Sequence, residues 1–312
     1  MRLYAALISL SLIWGTSFLF IKVLVSYAEP WEIVFLRCLF GAIPLYVILL
    51  VKTSKETWRH LPWVPLIIAG FVNAAIPWTL IALSETSIHS STAAILNATT
   101  PIWTSLMGFA LFSVRLGFKQ WIGIVIGFIG ILILMGFDIG SFLSENFIGV
   151  GTMILAPICY GFSNQFAKRF LGEVPVLIIA AGTLTIGYLS TGIFSLAMGG
   201  FPTAVFTSWQ PVFSILMLGV LGSGMAYLLN FYMIQKGSAE FASFVTYLVP
   251  VSAMFWGWFI LGEPLSANLI IGLLFIFGGV YLSGRKGKKK SSKASQTIEK
   301  EERNHGEKHS VF

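Results

Sequence analysis

The sequence predicts an all-α integral membrane protein of ten transmembrane helices arranged as two inverted five-helix repeats. Three observations carry that expectation. Ten apolar segments are each long enough to cross a bilayer, the basic loop residues fall on one side only, and a Pro–Gly pattern recurs at a fixed offset. A mean hydropathy of +0.84, with 56% hydrophobic and only 11% charged residues, excludes a soluble globular domain. A span needs about 20 apolar residues, because the hydrocarbon core is roughly 30 Å thick and a helix rises about 1.5 Å per residue.

The first span is expected over 3–25. Its apolar run is too long for the core of a secretion signal, and Trp14 and Lys22 interrupt it. It therefore reads as uncleaved, despite a weak small-x-small site at Ser26-Tyr27-Ala28. Further spans follow over 31–51, 61–83, 89–113 and 119–137, then over 147–168, 175–199, 209–233, 240–262 and 266–284. Pro44, Pro77, Pro101, Pro157 and Pro250 fall within spans and predict bends. Gly123-x3-Gly127 and Gly278-Gly279 predict close packing of the last span of each half, within the chain or between protomers. Cys38 and Cys159, both within spans, read as small packing residues.

Loop charge orients the spans. With the N-terminus inside, eighteen of the twenty Lys and Arg lie in cytoplasmic segments and none in the opposite loops; Lys22 and Arg37 lie within spans. That asymmetry places both termini in the cytoplasm. Nine of the twenty follow residue 284, in a basic and polar tail over 285–312 expected to be disordered and to touch anionic lipid. The net charge of +7 is thus a membrane feature, and no nucleic-acid partner is expected.

Pro101, Gly108, Gly123 and Gly130 recur as Pro250, Gly257, Gly272 and Gly279, an offset of 149. Ile8, Gly15, Ser17, Phe20 and Lys22 recur as Ile154, Gly161, Ser163, Phe166 and Lys168, an offset of 146. The repeats are expected over 1–138 and 139–284. Five spans is an odd number, so the second copy lies inverted, a construction common in carriers that alternate access to a site near the midplane. A cavity between such halves is lined by matched positions: Trp14 with Tyr160, Ser17 with Ser163, Trp78 with Tyr227, and Asn97 with Thr246. Asn164, Asn230 and Tyr247 join them by location. Amides and hydroxyls within a span need partners from a helix, water or ligand, and aromatics with a polar edge suit a half-wet cavity. Lys22 and Arg37 are the charges placed to receive a carboxylate. Lys22 also fits a snorkelling cation at a helix end, and Arg37 an orienting ion pair with Glu29 or Glu32. No Asp or Glu is expected in mid-membrane, and His60 and His89 lie at loop edges.

Several of these residues carry a family resemblance. Leu12-Ile13-Trp14-Gly15-Thr16-Ser17-Phe18, Arg37, Pro101 with Gly123-x6-Gly130, and Pro250 with Leu261-Gly262-Glu263-Pro264-Leu265 and Gly272-x6-Gly279 resemble the ten-span EamA-type members of the drug/metabolite transporter superfamily. The resemblance covers about residues 3–284. It implies secondary transport of a small metabolite, often export of amino acids or related compounds. One departure stands out: Ser113-Val114 replaces the Gly-Glu that precedes the last span of the first half. No His-Glu-x-x-His, Gly-x-Ser-x-Gly, carboxylate pair or phosphate-cradling Gly-rich loop is present, so neither an enzyme nor a metal or cofactor is expected. A receptor, channel or accessory protein without active transport is the competing class; it lacks the ligand domain or charged pore ring that would favour it.

Overall fold

A computed structural model describes residues 1–52, 61–198, 201–261 and 267–284. The tail, His60 and the segment Gly262-Glu263-Pro264-Leu265 lie outside the described residues.

The protein is an all-α integral membrane protein. A bilayer offers the backbone no hydrogen-bond partners, so an apolar segment in it satisfies its amides within a helix. Among the described residues, ten apolar helical segments result. They are α1 (Arg2–Leu24), α2 (Pro30–Lys52) and α3 (Trp63–Glu85); α4 in two arms (Ser90–Asn97 and Thr100–Phe112); and α5 (Phe118–Leu134). Then come α6 (Phe147–Phe170), α7 (Val176–Met198) and α8 (Trp209–Lys236); α9 in two arms (Ala239–Ser243 and Val245–Leu261); and α10 (Ala267–Gly284). Eight are long enough to span by length and composition, whereas α5 and α10 are shorter apolar helices.

Two of the five prolines, Pro77 and Pro101, stand at breaks in the regular helix. Pro44, Pro157 and Pro250 sit inside continuous helices. Pro77 follows the π segment of α3, its missing amide leaving the Asn73 carbonyl without an i+4 donor, and Pro101 lies in the first turn of the second arm of α4, where no amide hydrogen is needed. The irregular backbone comprises a π-helical segment in α3 (Phe71–Ala75), its counterpart in α8 (Met217–Met225), and the gaps between the arms of α4 and α9. A π segment widens the turn and leaves carbonyls without their usual helical partner. Hydropathy does not register it.

Helix pairing exchanges when the halves are exchanged. α1 packs on α9 as α6 packs on α4; α2 packs on the π segment of α8 as α7 packs on that of α3. α2 and α7 pair with each other, and so do α5 and α10. Ser252 Oγ and Trp256 Nε1 on α9 donate to the carbonyls of Ser11 and Leu12 on α1. The α5–α10 contact is backbone against backbone: a Cβ on Gly123 would lie 2.6 Å from the Gly279 carbonyl oxygen, and one on Gly130 2.8 Å from that of Gly272. The small-residue packing is thus within one chain. Gly278 has nothing within 4 Å of a Cβ and takes no part, while Gly127 accommodates the ring of Tyr247.

Ser113, the departure noted above, ends α4 with φ 56°, the left-handed region that a Cβ disfavours. Replacing it with glycine is expected to stabilise the protein by about 0.5–1 kcal/mol, read as a higher midpoint in thermal unfolding followed by tryptophan fluorescence. No change or a loss would mean that Ser113 makes a compensating contact.

Candidate functional site

Asn73 of the first π segment and residues of the broken helices α4 and α9 border a cavity of about 130 Å³. Its lining follows the repeat: Trp14 and Tyr160, Trp78 and Tyr227, Ile81 and Asn230, Ala93 and Ala242, Asn97 and Thr246, and Thr100 and Val249 all border it. The pairs on α4 and α9 lie three or four residues apart, one face of a helix.

Each π segment turns a freed carbonyl toward an aromatic side chain. Tyr227 OH donates to the Asn73 carbonyl at 2.8 Å, and Trp14 Nε1 donates to the Gly222 carbonyl at 3.0 Å. Asn73 and Gly222 are themselves matched at the offset of 149. Asn73 Nδ2 donates to Ser163 Oγ at 3.0 Å. Ser17, the counterpart of Ser163, borders Gly222 and donates back to its own helix at the Ile13 carbonyl.

Arg37 is buried, its guanidinium carbon 3.7 Å from the centre of the Trp78 ring. Nε donates to Ser223 Oγ at 3.1 Å, Nη2 reaches the Gly222 carbonyl at 3.5 Å, and Ser223 Oγ donates to the Leu218 carbonyl. A cation against an aromatic face in a desolvated site gains about 2 kcal/mol. The alternative of an ion pair with Glu29 or Glu32 does not form: Glu32 caps its own helix by accepting from the Glu29 amide. Trp78 also packs on Tyr227, ring centres 5.2 Å apart, so cation, indole and phenol stack along one wall.

One end of the cavity departs from the symmetry. Ile21, Val25, Ala82 and Glu85 continue the lining toward the face opposite the N-terminus. Their counterparts Ala167, Leu171, Phe231 and Ile234 are packed core, and Val25 at 51% exposure contrasts with Leu171 at 0%. The N-terminal face is closed further by polar bonds. Gln165 Nε2 donates to Glu240 Oε1 at 2.6 Å and to the Thr104 carbonyl. Lys168 Nζ donates to the carbonyls of Gln235 and Gly237, and Gln235 Nε2 to those of Leu171 and Val174. On the opposite face Ser84 Oγ donates to the Gly149 carbonyl at 2.9 Å. Glu145 accepts from Thr92 Oγ1 at 2.6 Å and lies 2.9 Å from His89 Nδ1. The Thr92 bond above all, with those from His89, holds the Glu145 carboxyl below the ordinary carboxylate range. That tie is present at neutral pH and is lost as pH falls through the depressed value.

The structure brings Trp14, Ser17, Arg37, Trp78, Asn97, Tyr160, Asn164, Tyr227, Asn230 and Thr246 to the cavity wall. It does not bring Ser163 or Tyr247. Ser163 stands behind the wall as partner of Asn73. Tyr247 follows Thr246 by one residue and so points about 100° away; it packs on Gly127 and donates to the Ile124 carbonyl. The side chain of Lys22 lies outside the described residues. Lys168 binds loop carbonyls, away from the wall.

Two acidic residues at helix ends, outside mid-membrane, are nevertheless drawn into the protein. Glu240 is 7% exposed against Gln165, and Glu85 lines the cavity with its Oε1 buried and without a hydrogen-bond partner. The third span is expected to end at 83, with Glu85 in the loop; α3 extends two residues further and ends on Glu85. Asn73 was also missed, although its match to Gly222 at the offset of 149 was available.

The family model described as the EamA-like transporter family matches residues 1–136 and 147–285. The Bacillus subtilis protein described as uncharacterized transporter YoaV is 25% identical over 282 residues, covering 90% of this chain and 96% of that protein. The Escherichia coli K12 protein described as uncharacterized inner membrane transporter YedA is 29% identical over 268 residues, covering 85% and 84%. A solved crystal structure superposes with a TM-score of 0.73 at 16% identity, covering 90% of this chain and 96% of that one, a shared fold.

Proposed function

The chain belongs to the EamA-like transporter family, and from that premise we propose that it is a secondary carrier of a small metabolite, an amino acid or related compound. It works in the cytoplasmic membrane, both termini facing the cytoplasm, in the direction of export. The halves 1–138 and 139–284 are inverted repeats that rock about the cavity and expose it to each side in turn. The observation that carries the reading is the lining itself, matched at its centre and unmatched at one end. Exchanging the conformations of the two halves would bury Ile21, Val25, Ala82 and Glu85 and open Ala167, Leu171, Phe231 and Ile234. The same site would then face the N-terminal side.

The test is uptake and efflux of labelled metabolites by protein in liposomes, with and without a pH gradient. Wild type is expected to move at least one amino acid. Trp14→Ala, Trp78→Ala and Asn97→Ala are each expected to lose at least about tenfold in rate, the effect of one or two lost site contacts, while still inserting. If all three carried cargo at the wild-type rate, the cavity assignment would be wrong. Silence of the wild type across amino acids, nucleosides and lipid precursors would overturn the carrier reading.

A further inference from the structure

We propose that Glu85 ties proton uptake to anion binding at Arg37. When an anionic group of the cargo engages the guanidinium, Glu85 takes one proton from solvent. The inference rests on the carrier reading above.

Arg37 and Glu85 border the same cavity, yet no ion pair within 4.0 Å joins them. They are one positive and one negative charge facing a shared space without touching. Arg37 is held from behind by Ser223, the Gly222 carbonyl and the Trp78 ring, which leaves its remaining N–H groups for an incoming acceptor. Glu85 Oε1 is buried and accepts no hydrogen bond. A buried carboxylate oxygen ordinarily has such a partner, and leaving one without is costly. The fold does not need the charge there, since the matched position is Ile234 in packed core.

Among the described groups around Glu85, Arg37 is the cation bordering the same cavity. α6 brings Tyr160 and α8 brings Tyr227, whose hydroxyl is committed to the Asn73 carbonyl. The two arms of α4 bring Asn97 and Thr100 to the wall, and His89, which precedes the first arm, is engaged by Glu145. On α2, Glu32 caps its own helix, and Cys38 borders Gly187 on α7. The side chain of Lys22 lies outside the described residues.

With Glu85 ionised, the empty cavity holds one positive charge on Arg37 and one negative charge on Glu85. A monoanion on Arg37 would add a second negative charge in a space poorly screened by water, where an uncompensated charge is strongly unfavourable. Balance returns when the Glu85 carboxylate and one solvent proton become a carboxylic acid; the cargo anion stays ionised on the guanidinium. A zwitterion brings its own cation and requires no proton. The proton count therefore follows the charge of the cargo: one for a monoanion, none for a zwitterion.

The experiment uses full-length protein in liposomes containing a trapped pH indicator dye. Outward gradients of labelled N-acetyl-leucine, a monoanion, and of leucine, a zwitterion, are compared with protein-free liposomes. Wild type is expected to move about one proton with each N-acetyl-leucine and none with leucine. Glu85→Gln is expected to lower the ratio for N-acetyl-leucine to below about one tenth, whatever rate remains, and Glu85→Asp to keep it near one. Thermal unfolding of each variant checks that it is folded, and the aspartate variant carries the test if the glutamine variant is not. If the wild type moves both probes with equal proton counts, or Glu85→Gln keeps the ratio, the coupling is overturned while the carrier reading stands. If neither probe moves, the cargo class and the coupling fall together.

Discussion

Transport by an Arg37→Gln protein is expected to fall at least about 100-fold while the protein still inserts and remains monodisperse. Removing one member of a buried, hydrogen-bonded charge contact costs about 3 kcal/mol or more, and each 1.4 kcal/mol is tenfold. Arg37 has little other work in the fold. Its direct contacts are a hydroxyl, a carbonyl and an indole face, so glutamine at this position breaks no direct ion pair, although Glu85 across the cavity loses its balancing cation. Arg37→Lys is expected to recover part of the rate, because the charge remains but the planar fork that can hold Ser223 and an incoming carboxylate together is lost. Ser223→Ala separates charge from placement: the cation stays and its Nε loses its anchor, so the rate is expected to fall several-fold. Initial rates in liposomes, read beside thermal unfolding midpoints, distinguish these cases. A glutamine variant that carries cargo at the wild-type rate would exclude Arg37 from the binding site.

The sequence made the spans legible because bilayer thickness sets their length, and it made the pairing of halves legible because Pro and Gly positions are fixed by close contacts. Trp14 with Tyr160 and Trp78 with Tyr227 followed from the offset alone and meet at one wall. Glu85 did not follow, because a charged residue at the end of an apolar run looks like the first residue of a loop. Only the extension of α3 past the π segment at 71–75 to end on Glu85 brings it to the cavity. Tyr247 failed for the opposite reason. It shares its stretch with Thr246, but one step along a helix turns a side chain by about 100°, and location without phase cannot separate the two. The difference between the two ends of the cavity was beyond any symmetric argument, since Val25 and Leu171 are equally apolar in sequence.

Gly41→Leu is expected to yield no monodisperse protein, and Gly41→Ala to lower the unfolding midpoint by several degrees and the transport rate by more than the lost stability explains. A Cβ at 41 would lie 2.8 Å from the Gly219 carbonyl oxygen, 2.9 Å from Ser223 Cβ and 3.0 Å from the Gly224 amide. One at 224 would in turn lie 2.8 Å from the Gly41 carbonyl oxygen. α2 therefore touches the π segment of α8 backbone to backbone, and backbone cannot swing aside as a side chain can. Overpacking of this kind costs about 1–3 kcal/mol for a methyl group and more for larger additions. Gly41 lies one turn beyond Arg37, on the same face of α2. Pushing the π segment away thus moves Ser223 and Gly222 from the guanidinium they hold. The matched Gly187 provides the comparison, because a Cβ there meets the Cys38 sulfur at 2.7 Å, the free end of a side chain that can rotate. Gly187→Ala is expected to cost less stability than Gly41→Ala. Gly278→Ala, with open space around it, is expected to cost none. Should Gly41→Ala insert, unfold and transport like the wild type, the glycine contact would not be what holds Arg37 at the cavity wall.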